Sequence, residues 1–386
     1  MTELSWRATR LRWRWHALTV SCLLLLAFGG GGALAQALDE DGLSARAKGD
    51  PEAPKAEEDE PKIVLLPLAG YSPESSVAFA ALAMIFFESG GARPASSNIA
   101  LAYTLRNQSQ VNLGVTLPLA RDLFRVRGNI RGLVWNDRFY GVGNDTGDDW
   151  TQFDTEAFET LLDLMVRLGV DGLYGGVILD AQWLEVTADA DSLLMTSGVV
   201  GRKGGARIGA GALLQWDSRE GNVSAPSGGQ LASARYTLYD KQVAGGFTYR
   251  RLQLDARHYQ PLGDLGLLAI QLRGDFTDGE VPFDELSVLG GDFGRGIYQG
   301  RYRDRHAVSS QLEWRSPLWK SMGGVVFGSV GAVAPDVATL AEQDPRWTVG
   351  AGFRYFVAEE EGVAVRVDGG FNDTESNVYI SLGEAF

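Results

Sequence analysis

The chain has 386 residues and a formal net charge of −14, the wrong sign for a partner such as nucleic acid, whose phosphates are gripped by Lys and Arg. One cysteine and three histidines leave no disulfide framework, no thiolate metal site and no His-rich centre, so neither metal nor cofactor is expected. Glycine makes up 49 of the 386 residues, well above the usual ~7%, and no apolar run after residue 37 is long enough for a spanning helix; a membrane protein built of strands fits this composition.

Met1 to Ala37 reads as a secretory signal peptide. Arg7, Arg10, Arg12 and Arg14 form a basic leader, Ala17 to Phe28 a short apolar run, and Ala33-Leu34-Ala35 and Ala35-Gln36-Ala37 offer cleavage sites. The apolar run falls well short of the ~20 residues of a membrane-spanning helix. Cys22 opens the run Leu23 to Leu26 instead of sitting at a cleavage site, so no lipid anchor is expected. Residues 38–62 follow, rich in Ala, Glu, Asp and Pro and without an aromatic. Such a segment cannot bury enough surface to offset its ordering entropy, and it reads as a disordered acidic periplasmic tail.

From residue 63 to 386 the period is two, the mark of strands. Sixteen segments are predicted: 64–72, 76–88, 97–107, 109–119, 122–138, 155–169, 172–188, 204–217, 229–239, 243–259, 264–276, 304–317, 323–334, 346–358, 361–371 and 376–386. Most are at or above the length of a tilted spanning strand. In the twelfth, Val308, Leu312 and Trp314 share one face while Ser309, Gln311, Glu313 and Arg315 share the other. In the fourteenth, Val349, Ala351, Phe353, Tyr355 and Val357 oppose Arg354; in the fifteenth, Val363, Val365 and Val367 oppose Arg366 and Asp368. Apolar residues toward lipid and charged residues toward a wet lumen account for this. The connections alternate in length: 169–172, 260–264 and 358–362 are short, whereas 136–154, 188–203, 277–303 and 335–345 are long. Short periplasmic turns, long outer loops and an even strand count are the pattern of an all-β, 16-stranded antiparallel transmembrane β-barrel, closed because lipid tolerates no open edge. Trp135, Trp183, Trp216, Trp314, Trp319 and Trp347 lie near strand ends, where interfacial girdles form.

Four motifs then carry a resemblance: Gly70-Tyr71-Ser72-Pro73-Glu74-Ser75; Phe139-Tyr140-Gly141-Val142-Gly143-Asn144-Asp145-Thr146; Gly290 to Asp304 with Leu312 to Leu318; and Val363 to Phe371 with Val378 to Phe386. In this order they resemble the barrel of the bacterial surface antigen superfamily, the BamA/TamA-like outer-membrane barrels, over residues 63 to 386. The resemblance implies that the sixth outer loop folds into the lumen and that its arginine is held by an acidic residue of the wall. Arg295 and Gly296 match the loop motif, although Gly294 and Ile297 depart from the usual aliphatic and aromatic neighbours. Ser329 stands where the wall often has Asp, so the expected partner of Arg295 is Asp368 or Glu313, both inward by register. Val378, Ile380, Leu382 and Phe386 resemble the C-terminal signal for barrel assembly. Localisation in the bacterial outer membrane is implied, with outer-membrane lipid and the barrel assembly machinery as partners.

By the same resemblance the function is insertion of barrel proteins or translocation of polypeptides. No POTRA-like segment is legible before residue 63, so a polypeptide client is expected to arrive by way of a separate periplasmic partner. The alternative is a passive pore or structural surface protein with no client. Enzymatic activity is not expected: His306 and Glu313 could tempt an esterase reading, but Ser329 lies in Gly-Ser-Val-Gly, not in a nucleophile elbow. Asp145, Asp148 and Asp149 lack the spacing of a calcium loop.

Overall fold

A computed structural model describes residues 61–87, 95–222, 225–319, 321–358 and 363–386. The expected signal peptide and all but the last two residues of the expected tail lie outside the described residues. Sixteen strands form the wall: β1 (Lys62–Ser72), β2 (Ser76–Phe87), β3 (Ala95–Thr104), β4 (Ser109–Leu119), β5 (Phe124–Phe139), β6 (Thr151–Arg167), β7 (Leu173–Thr187), β8 (Gly204–Asp217), β9 (Ala225–Tyr239), β10 (Tyr249–Pro261), β11 (Leu267–Gly279), β12 (His306–Trp319), β13 (Met322–Ala334), β14 (Arg346–Ala358), β15 (Val363–Phe371) and β16 (Ser376–Leu382). Each pairs antiparallel with its sequence neighbours, and β1 meets β16 to close a sixteen-stranded antiparallel barrel. A three-residue strand, Glu220–Asn222, pairs beside the start of β9.

The period-two pattern becomes two faces. Val308, Leu312 and Trp314 on β12 are exposed, whereas Gln311 and Glu313 between them are buried. Val349, Phe353 and Tyr355 on β14 and Val367 on β15 are likewise exposed, with Arg354, Arg366 and Asp368 buried opposite them. The exposed apolar face is the outside of the barrel and the charged face is its interior, the inverse of a soluble sandwich. Trp183, Trp216, Trp314, Trp319 and Trp347 are exposed on that outside.

Three segments differ from the expected ones. The strand predicted over 243–259 starts at Tyr249, because Asp240 caps a single helical turn, Lys241–Ala244, by accepting from the Gln242 amide (2.9 Å). Within the loop between β11 and β12, Ser287–Val288 pairs with Arg303–Asp304 as a separate two-stranded ladder, so Asp304 does not begin the wall strand. The last strand, predicted over 376–386, stops at Leu382. Gly383 adopts φ +74°, and Glu384, Ala385 and Phe386 are buried. Phe386 leaves the face of exposed Val378 and packs with Tyr259 of β10 and Ala269 of β11.

Candidate functional site: the sixth loop, the inner wall and the seam

The loop between β11 and β12 carries Arg295 at its Gly-rich turn, and the side chain is almost wholly buried. One guanidinium nitrogen donates to Asp368 Oδ2 of β15 at 2.6 Å, and another donates to Glu313 of β12. The guanidinium also lies over the Phe327 ring of β13, 3.6 Å from its centroid. Ser329 does not contribute a charge; its hydroxyl is hydrogen-bonded to Thr348 at 2.7 Å. The structure therefore brings together Arg295, Glu313 and Asp368, three of the residues singled out in the sequence.

Three further residues belong to this cluster. Arg354 of β14 donates to Asp368 Oδ1 (2.5 Å) and to Glu384 Oε2 (2.8 Å). Arg315 of β12 donates to Glu313 Oε1 (2.6 Å) and to the Phe386 carbonyl oxygen (2.7 Å). Each carboxylate thus faces more than one guanidinium, which offsets the cost of removing the charges from water. Period two places Arg354 and Arg315 on the inward face, but it leaves their partner Glu384 in a continuing strand.

Backbone contact fixes the loop as firmly as charge does. Gly296 has φ +121°, and a Cβ there would come 2.9 Å from the carbonyl carbon of Gly370 on β15. A Cβ on Gly370 would in turn lie 2.2 Å from the Arg295 carbonyl oxygen. Only two glycines allow these backbones to touch. Asn377 of β16 donates to the Gly296 carbonyl (2.9 Å), and the Gly296 amide donates to the Tyr379 hydroxyl (3.2 Å). One step further, the Gln299 amide donates to Glu74 in the β1–β2 turn (2.8 Å), and Tyr298 donates to Asp137 on β5 (2.7 Å). Burial, reinforced by Asp137, holds the Tyr298 phenol well above its ordinary value, so it remains a donor.

The opposite arm of the loop packs on the far wall. Val281, Phe283 and Leu286 join Phe139, Phe153, Leu184, Tyr239 and Tyr249 in an apolar cluster. Beside it, Arg207 of β8 bridges Asp284 and Glu285 at 2.5 and 2.9 Å, and Arg251 of β10 reaches Glu285 at 2.5 Å. Burial alone would raise the Glu285 carboxyl, but these two guanidinium groups outweigh it and hold the group below its ordinary value. The motif around Asn144 serves the same loop: the Gly143 amide donates to the Arg303 carbonyl (2.8 Å) and the Thr146 hydroxyl to that of Arg301 (3.1 Å).

The wall itself is weakest at one place. β1 and β16 share a single register pair, Tyr71 opposite Ile380, whereas β1 registers with β2 along its whole length from Lys62 to Ser72. No described strand registers with residues 62–70 of β1 on that side, and residues 62–68 lie beyond the reach of β16, which ends at Leu382. Ile63 and Leu65, on this stretch, are exposed. Among the described residues no group of His, Cys, Asp and Glu side chains could hold a metal.

This fold and wall define a membrane-spanning sixteen-stranded barrel of the BamA-like kind, with its longest loop tied to interior side chains. Comparison with solved structures gives the same result. BamA from Haemophilus ducreyi lacking POTRA domains 1–3 is similar with a TM-score of 0.55 and 13% identity, over 91% of this chain and 77% of that one. CdiB from Escherichia coli is similar with a TM-score of 0.56 and 11% identity, over 85% and 68%. CdiB from Acinetobacter baumannii has a TM-score of 0.55 and 10% identity, over 84% of this chain and 59% of that one. At such identities the likeness is one of fold. No family model and no curated protein sequence matches the chain.

Proposed function

We propose that the protein works in the bacterial outer membrane to insert barrel proteins or to translocate polypeptides, by letting a client strand pair with the free edge of β1. The observation that carries this reading is the seam: one register pair, Tyr71 with Ile380, beside an unpaired stretch of strand. An exposed row of backbone donors and acceptors is a template for an added strand, and lipid offers it no alternative partner. The likeness of fold to BamA and CdiB supports the same reading. In it, the sixth loop is folded inward as a stopper with Arg295 and Gly296 as its anchor. Val378, Ile380, Leu382 and Phe386 are read by the assembly machinery while the chain is still unfolded. The client comes by way of a separate periplasmic partner. The rival, a passive pore without a client, fares less well because paired charges occupy the interior on both sides of the loop.

The test is reconstitution in lipid vesicles with a urea-unfolded outer-membrane barrel as client, its folding followed by the change in gel mobility on heating. The protein should raise the client's folding rate over empty vesicles. The Tyr71→Cys, Ile380→Cys pair, oxidised, should return that rate to the empty-vesicle value and recover on reduction. Equal rates in locked, unlocked and empty vesicles would remove the proposal in favour of the passive barrel.

A further inference from the structure

The edge that β1 turns toward β16 lacks one backbone donor, at Pro67, one hydrogen-bonding position beyond the last residue of β16. The Leu105 amide donates to the Val77 carbonyl (2.9 Å), so the odd-numbered residues of β2 face β3 and the even-numbered ones face β1. With Leu68 opposite Ala80 and Gly70 opposite Ala78, the even-numbered residues of β1 bond to β2. Its odd-numbered residues, Ile63, Leu65, Pro67, Ala69 and Tyr71, face the seam. On the other side, the Gly383 amide donates to the Ala364 carbonyl of β15 (2.8 Å), so the even-numbered residues of β16 face β1. The pair Tyr71–Ile380 agrees with both assignments.

Continued downward, this register sets Leu382 opposite Ala69, Glu384 opposite Pro67 and Phe386 opposite Leu65. Proline has no N–H to give. A tail extended along β1 would leave the Glu384 carbonyl without a partner, at a depth where no water replaces the bond. The chain departs one residue earlier. Gly383 turns at φ +74°, Glu384 binds Arg354, and the Phe386 carbonyl binds Arg315.

We propose that Pro67 is a stop against self-closure: it prevents β16 from zipping down β1, sends the last residues into the interior, and so keeps the lower edge of β1 free. The proposal rests on the strand-addition reading for its purpose but not for its test. Leu66→Cys and Ala385→Cys would face each other only if the tail ran along β1; Cys22, the single native cysteine, precedes the expected cleavage sites. The disulfide yield of this pair under mild oxidant, in purified barrel without client, reads the zipped state. Restoring the donor with Pro67→Ala should raise the zipped-to-unzipped ratio roughly two- to tenfold, the effect of one net backbone hydrogen bond. If Pro67→Ala does not fold, Pro67→Val gives the same reading. An unchanged yield in the folded variant, or a yield already complete with Pro67 in place, overturns the proposal. A raised yield with slower client folding in the vesicle assay supports both readings. A raised yield with no client effect in any variant keeps the stop and discards the client.

Discussion

Arg295 shows how much of the inner site is decided by a single side chain. Its two carboxylates, Glu313 and Asp368, come from strands three apart, and both are fully buried. Removing one, as in Asp368→Ala, should destabilise the barrel by about 3–5 kcal/mol, because a buried guanidinium is left short of compensation. Replacing Arg295 and Asp368 together by Met and Leu should cost much less, since one charge of each sign leaves and Arg354 and Arg315 keep Glu384 and Glu313. Urea unfolding in detergent, followed by tryptophan fluorescence, separates these outcomes; equal losses for the single and double replacements would show that packing, not charge, holds the loop. The sequence made this centre partly legible. An arginine before a glycine in a Gly-rich loop is conspicuous, and inward parity nominates Glu313 and Asp368. Parity could not supply Glu384: that residue reaches Arg354 only because Gly383 turns the chain, and a period-two pattern says nothing about where a strand stops.

At the scale of the element, the sixth loop is a strut with two footings. One is the apolar patch around Phe283 with the Arg207 and Arg251 bridges; the other is the backbone contact of Gly296 on Gly370. Gly296→Ala meets both a left-handed φ and a steric block, and strain of that kind costs about 1–3 kcal/mol. Gly370→Ala meets the block alone. Both variants should keep the barrel folded, with unchanged heat-dependent gel mobility, while a protease added from outside cuts the loop faster than in the parent. Unaltered loop cleavage in Gly370→Ala would mean that the close contact does not hold the strut. The sixteen strands were legible because each alternates on its own. The 287–288 with 303–304 ladder and the capped turn at 241–244 were not, for one depends on partners distant along the chain, Ser287 with Asp304 and Val288 with Arg303, and the other on a capping geometry that a strand-like pattern masks.

For the whole molecule, two segments are tied to inward-facing wall residues, the sixth loop through Arg295 and residues 384–386 through Arg354 and Arg315. Ending the chain after Leu382, with Arg354→Met to remove the charge that Glu384 balances, takes away the second of these and leaves every wall strand in place. It should raise single-channel conductance in planar bilayers modestly, whereas deleting residues 287–303 should raise it far more; the ranking reversed would mean the tail is the main barrier. Closure of the ring was legible from strand count and loop lengths, but the uneven strength of that closure was not, because register between the first and last strands is a property of the assembled ring. The loop also touches both banks of the weak joint, Glu74 on one side and Asn377 and Tyr379 on the other. On the strand-addition reading proposed above, reciprocity then applies: by whatever coupling free energy parting the banks loosens the strut, holding the strut makes the banks harder to part. Under that reading, prying the barrel sideways and releasing the strut are coupled, so a drug or antibody that immobilised the strut from outside would stiffen the flank without ever reaching the bilayer.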